Sequence, residues 1–137
     1  MTQMKTILAL VLGVAMMTSA CADPTAPAAP TPAAPNTTEV FTGLVTVLGT
    51  NQQTFTVAQV GTVKVTLLSV NPSAALKVGI GTPSLGTCLV LQEVTVAGGA
   101  ATILSGTATV AGTFCVLLSD PGTLVENVTY TISVQHS

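Results

Sequence analysis

Val128-Thr129-Tyr130-Thr131-Ile132-Ser133-Val134 alternates apolar and polar residues without a break. In an extended strand successive side chains point to opposite faces, so this segment buries Val128, Tyr130, Ile132 and Val134 together only if it is β. Val63-Lys64-Val65-Thr66-Leu67 repeats the pattern, and no stretch after Ala22 sustains a helical period. The runs rich in Val, Thr, Ile and Leu predict strands near Glu39–Val47, Thr54–Ala58, Thr62–Val70, Ala75–Ile80, Thr87–Gln92, Ala101–Thr109, Thr113–Ser119 and Val128–Gln135. Turn chemistry separates them at Val70-Asn71-Pro72-Ser73, Gly81-Thr82-Pro83-Ser84, Gly98-Gly99 and Asp120-Pro121-Gly122. About eight short strands in roughly 100 residues predict an all-β fold, a two-sheet antiparallel β-sandwich over residues 38–137.

Composition decides what such a sandwich can show to its surroundings. Charged residues are 6% of the chain, against roughly 25% in a typical soluble protein. Threonine takes their place, with 24 copies, and its branched, half-polar side chain suits a pleated, half-buried surface. Beyond residue 20 only Lys64 and Lys77 are cationic, facing Asp23, Glu39, Glu93, Asp120 and Glu126. Two scattered lysines cannot neutralise a row of phosphates, which argues against nucleic acid as a partner and against polybasic membrane attachment.

The first 37 residues have a different organisation. Residues 1–20 place Lys5 before an apolar run from Ile7 to Met17 and then small residues, the layout of a secretory leader. That run is too short to span a bilayer, which takes about 20 apolar residues. Thr18-Ser19-Ala20-Cys21 resembles the lipobox of bacterial lipoproteins, in which a cysteine behind small residues is acylated and becomes the new N-terminus. The resemblance implies lipidation of Cys21 and a partner in the membrane itself. Thr18 stands where the family usually has Leu. Ala20-Cys21-Ala22 also fits ordinary leader cleavage after Ala22, which would release a soluble product. Within 21–37, Pro24, Pro27, Pro30, Pro32 and Pro35 are set among Ala and Thr. Proline at that spacing favours extended polyproline II, so the 15 residues from Ala22 to Asn36 form a tether able to reach roughly 45 Å at ~3.1 Å per residue.

Three cysteines are an odd number, which in an exported chain calls for one special thiol and one pair. With Cys21 lipidated or removed, Cys88 and Cys115 are the only candidates for each other. A disulfide between them closes a loop spanning 27 positions, worth about 3.5 kcal/mol by chain-entropy arithmetic. Neither has a nearby His or Cys-x-x-Cys spacing that would point to a reactive thiol or a metal.

Thr54-Phe55-Thr56-Val57, Gly61-Thr62-Val63-Lys64-Val65-Thr66-Leu67, Gly112-Thr113-Phe114-Cys115-Val116 and Val128–Val134, in that order, resemble the bacterial pre-peptidase C-terminal domain. That family is a small β-sandwich carried by secreted enzymes and surface proteins. The resemblance covers about Thr54–Val134 and implies a non-catalytic accessory or binding module. It carries over no functional residue. Where many members have an acidic segment, this chain reads Ala74-Ala75-Leu76-Lys77-Val78-Gly79, which argues against a calcium role.

No residue pattern points to catalysis. The sole histidine, His136, is penultimate and reads as a solvated tail residue. Gly81-Thr82-Pro83-Ser84-Leu85-Gly86 has one residue too many for a nucleophile elbow. Gly79-Ile80-Gly81 lacks the third glycine and the helix of a dinucleotide site. Asp120 and Glu126 form the nearest acidic pair, better read as a solvated loop than as a cation site. Phe55, Phe114 and Tyr130 fall at core positions, and Trp is absent, so no aromatic sugar platform is evident. The expectation is therefore a lipid-anchored envelope protein, at the inner or outer membrane, displaying a non-enzymatic, cofactor-free sandwich as a structural or binding module for a protein or polysaccharide. The alternative is a secreted soluble carbohydrate-binding or enzyme-accessory module.

Overall fold

The computed structural model describes residues 35–99 and 101–137, so the leader, Cys21 and most of the tether lie outside the described residues. Eight strands follow in order: β1 Thr37–Val45, β2 Thr50–Val57, β3 Gly61–Asn71, β4 Ala75–Ser84, β5 Thr87–Ala97, β6 Ala101–Ala108, β7 Gly112–Ser119 and β8 Val128–His136. All eight expected strands are present. They form two four-stranded sheets, β1-β8-β3-β6 and β2-β7-β4-β5.

The pairing has a simple logic. β1 pairs with β8, β2 with β7, β3 with β6 and β4 with β5, all antiparallel. The chain is thus one long hairpin ribbon, doubled back at the β4–β5 turn. Rolling the ribbon adds the β3–β8 and β4–β7 pairings and splits it into two facing sheets. This is the strand order of a jelly roll. Only the β4–β5 connection stays within one sheet.

Alternation along each strand supplies the core between the sheets. Val63, Val65 and Leu67 of β3 and Val128, Tyr130, Ile132 and Val134 of β8 face Phe55, Val57, Leu76, Val78, Val116 and Leu118 from the other sheet, all buried. Each such aliphatic side chain contributes about 1.5–3 kcal/mol on full burial, so the inward face of each strand is fixed by packing. Asn51 and Gln53 occupy inward positions on β2, and Tyr130 explains why. Its hydroxyl donates to Asn51 Oδ1 at 2.6 Å and accepts from Gln53 Nε2 at 3.3 Å, bridging one sheet to the other.

Two local expectations are corrected. Gly81-Thr82-Pro83-Ser84 is not a turn but the end of β4. β4 pairs with β7 only as far as Gly81, so Pro83 lies where one side of the strand is unpaired and proline's missing N–H is tolerated. The reversal comes at Leu85 and Gly86, both with positive φ (50° and 81°), the conformation of a type I′ hairpin turn. The second correction is His136. It is 3% exposed and ends β8, continuing the inward alternation that begins at Val128.

Candidate functional site

The glycines at 79 and 81 lie on the outer face of the β2-β7-β4-β5 sheet, and the missing side chains have a structural use. A Cβ on Gly79 would lie 2.7 Å from Val90 Cγ1, and one on Gly81 would run into the carbonyl oxygen of Leu89. The first half of β5 therefore leans over bare backbone that any side chain would prop away. Across the same stretch the β4–β5 register shifts, Ile80 facing Gln92 and Gly81 facing Val90, which leaves Leu91 as the extra residue of a β-bulge. Bulges bend a strand and re-aim a side chain.

The bent hairpin reaches over the outer face of its own sheet. Cys88 on β5 and Cys115 on β7 have β4 between them in the sheet order. Strands one neighbour removed lie about 9.5 Å apart in a flat sheet, yet these Cα atoms are 5.8 Å apart and joined by a disulfide. The expected Cys88–Cys115 pairing is present, and it straps the curled hairpin down. Gln52 Nε2 on β2 donates to the Gly86 carbonyl at 2.9 Å and holds the tip from the far side. Under this cover Cys115 is fully buried although it sits on an outward position.

Bending β5 outward leaves a gap on the flank where it would otherwise cover β6. A cleft of about 410 Å³ opens there between Val63 and Ala108 of one sheet and Ile80 and Phe114 of the other. Leu91 and Gln92 stand at its mouth, Leu91 71% exposed. Gly106 forms part of the β6 wall, and a Cβ there would meet only Gln92 Oε1, at 3.9 Å. No charged side chain lines the cleft among the described residues. Phe114 stacks on Phe55 with ring centroids 6.0 Å apart, and Phe55 in turn contacts the His136 ring at 5.4 Å. The aromatic expectation for Phe55 and Tyr130 as core residues holds, while Phe114 is partly buried and shared between core and cleft.

Both ring nitrogens of His136 have neighbours. Its Nε2 lies 2.8 Å from Glu39 Oε1, its Nδ1 3.3 Å from the Ser137 carbonyl, and Phe55 covers the ring. The pairing ties the edge strand β1 to β8 near the start of the described fold. The alternation of β8 was the signal for it, since position 136 has the same parity as Val134.

Asp120 also has a structural occupation. Its Oδ2 accepts the Leu48 N–H at 2.8 Å, and its Oδ1 accepts those of Gly122, Thr123 and Leu124 at 2.7, 2.9 and 3.1 Å. These donors, Leu48 foremost, hold the carboxyl below the usual carboxylate range, partial desolvation opposing them. The carboxylate thereby staples the β1–β2 turn to the β7–β8 loop. Asn127 Oδ1 adds a second staple from the Val47 N–H at 3.1 Å. Four N–H donors on one carboxylate are the wrong surroundings for a cation, and among the described residues no three His, Cys, Asp or Glu side chains are grouped to hold one.

No family model matches the chain, and no curated protein matches it.

Proposed function

We propose that the chain is a bacterial cell-envelope lipoprotein, anchored through a lipid on Cys21, that displays the sandwich as a non-catalytic structural or binding module. The cysteine count carries this reading. Of three cysteines, Cys88 and Cys115 are joined to each other, which leaves Cys21 single, directly behind the small residues Thr18-Ser19-Ala20. An acyl anchor gives that thiol a use. Two or more acyl chains hold a protein stably at ~0.8 kcal/mol per buried methylene, where one holds it only marginally. The Pro/Ala tether precedes the sandwich, whose first strand begins at Thr37. Likeness to the pre-peptidase C-terminal domain supports an accessory or binding role over a catalytic one.

The test is phase partition of protein expressed in a bacterium. Wild type is expected in the detergent phase and Cys21→Ser in the aqueous phase. A wild-type chain that begins at Asp23 and stays aqueous would refute the anchor and point to a secreted module.

A further inference from the structure

We propose that the cleft between β5 and β6 is a binding site for an uncharged, mainly apolar small molecule, an alkyl or aryl group with a hydrogen-bonding head, and that the Cys88–Cys115 strap holds it open. This goes beyond envelope display and holds whether or not Cys21 carries a lipid.

The walls set the chemistry. Val63, Ile80, Ala108 and Phe114 present apolar surface, and the volume of about 410 Å³ falls in the ~300–1,000 Å³ range of small-molecule sites. Polar side chains are few, and it is Gln92 that offers an amide, its Oε1 reaching toward Gly106. An ionised ligand would leave water for apolar walls without a counter-charge, which is strongly unfavourable. A neutral head can exchange its water for the Gln92 amide at little net cost.

The shape of the cleft follows from three features of β5 and its neighbours. Closing the flank takes only a regular β5 lying against β6. Instead β5 carries a bulge that turns Leu91 to the mouth, its outer bend rests on Gly79 and Gly81, and a disulfide fastens the bend away from β6. Leu91 is left 71% exposed at the lip of an apolar cleft, where an apolar ligand would cover it. Gly106 completes the opening, since a larger residue there would project into open space.

That open space supplies the test. Full-length protein is titrated with N-phenyl-1-naphthylamine, an uncharged aryl probe, and binding is read from the methyl NMR shifts of Val63, Ile80 and Leu91. Saturable shifts confined to these methyls are expected. Gly106→Ile fills the cleft without a backbone clash, so it should weaken binding by at least about ten-fold without lowering the thermal midpoint. The sulfonated analogue 1-anilinonaphthalene-8-sulfonate should bind at least about ten-fold more weakly than the neutral probe. Cys88→Ala with Cys115→Ala should also weaken binding of the neutral probe. Undiminished binding by Gly106→Ile, or shifts centred on Leu48 and Val125 instead, would overturn the site. Equal affinity for the sulfonated probe would overturn the ligand class, and full affinity without the disulfide would overturn the role of the strap.

Discussion

Replacing Cys88 and Cys115 together by Ala should cost the domain a large part of its stability. The bridge closes a 27-residue separation, and the loop-closure entropy released to the unfolded chain corresponds to about 3.5 kcal/mol. A domain of this size is held by about 5–15 kcal/mol in total. At about 4–8 °C per kcal/mol, the thermal midpoint should fall by ~14–28 °C. In urea, with a slope of about 1–3 kcal/mol/M, the midpoint should fall by roughly 1–3.5 M, and the slope should rise because the unfolded chain without the bridge is less compact. Location sharpens the expectation, because the bridge joins the curled β4–β5 hairpin to β7 and touches neither β3 nor β8. Amide exchange in the double variant should therefore accelerate most over Thr82–Val90, while the buried ladder of β3 and β8 opens only with global unfolding. The assay is urea denaturation of wild type and variant under non-reducing conditions, followed by residue-resolved exchange. A midpoint shift below ~0.3 M, or unchanged exchange across the hairpin, would refute the strap.

Tyr130 is the sole tyrosine, so tyrosinate absorbance reports it alone. Burial raises its pKa above the ordinary value and the Gln53 hydrogen bond opposes the rise; native protein should ionise at higher pH than urea-unfolded protein, the associated stability being full below about pH 10 and lost as pH climbs through the folded pKa. Coincident titration curves for folded and unfolded chains would contradict this. For Asp120 the sign is opposite: its folded pKa is depressed, so its contribution is present above the unfolded pKa and disappears as pH falls through the lower folded value. Asp120→Asn should be less stable than wild type at neutral pH, with the gap closing in acid below about pH 4, read as urea midpoints at both pH values; a gap that persists in acid would show that the carboxylate charge is not what staples the loops.

Some of this was legible in the residues and some depended on long-range geometry. The strands could be read because Val63–Leu67 and Val128–Val134 alternate strictly, and a period of two leaves no other way to bury one face. The disulfide could be read by elimination among three cysteines. For His136 two signals conflict: a penultimate position points to a frayed end, while β8's own alternation points inward, and the packing of β8 follows the alternation. The position of the β4–β5 turn is hidden for a different reason. Leu85 takes a left-handed conformation that its side chain does not advertise, while Pro83 resembles a turn residue and is in fact tolerated on an unpaired side of β4. Strand order and the cleft lay beyond local reading altogether. The cleft depends on a one-residue register shift between β4 and β5 and on which neighbours Gly79 and Gly81 meet, both fixed by pairing across the fold.

The scarcity of charge and the open flank have a common physical root. A sheet edge invites added strands unless something breaks its regularity, and lysines are the usual guard. With charged residues at 6%, this chain must rely on geometry. β5 has its bulge at Leu91, and β6 has a second one, where Val65 faces Leu104 and Thr66 faces Thr102 with Ile103 left between. These two edges lie on the same flank, β5 in one sheet and β6 in the other. Bulged strands twist and bend more than regular ones, and of the two bulges it is that of β5, at Leu91, that borders the cleft. On the opposite flank β2 runs in unbroken register with β7, and β1 carries Glu39 locked to His136. A straighter β5 would therefore do two things at once: offer a flat edge whose single charge is Glu93 to any passing strand, and bring Leu91 and Gln92 down over the mouth of the cleft.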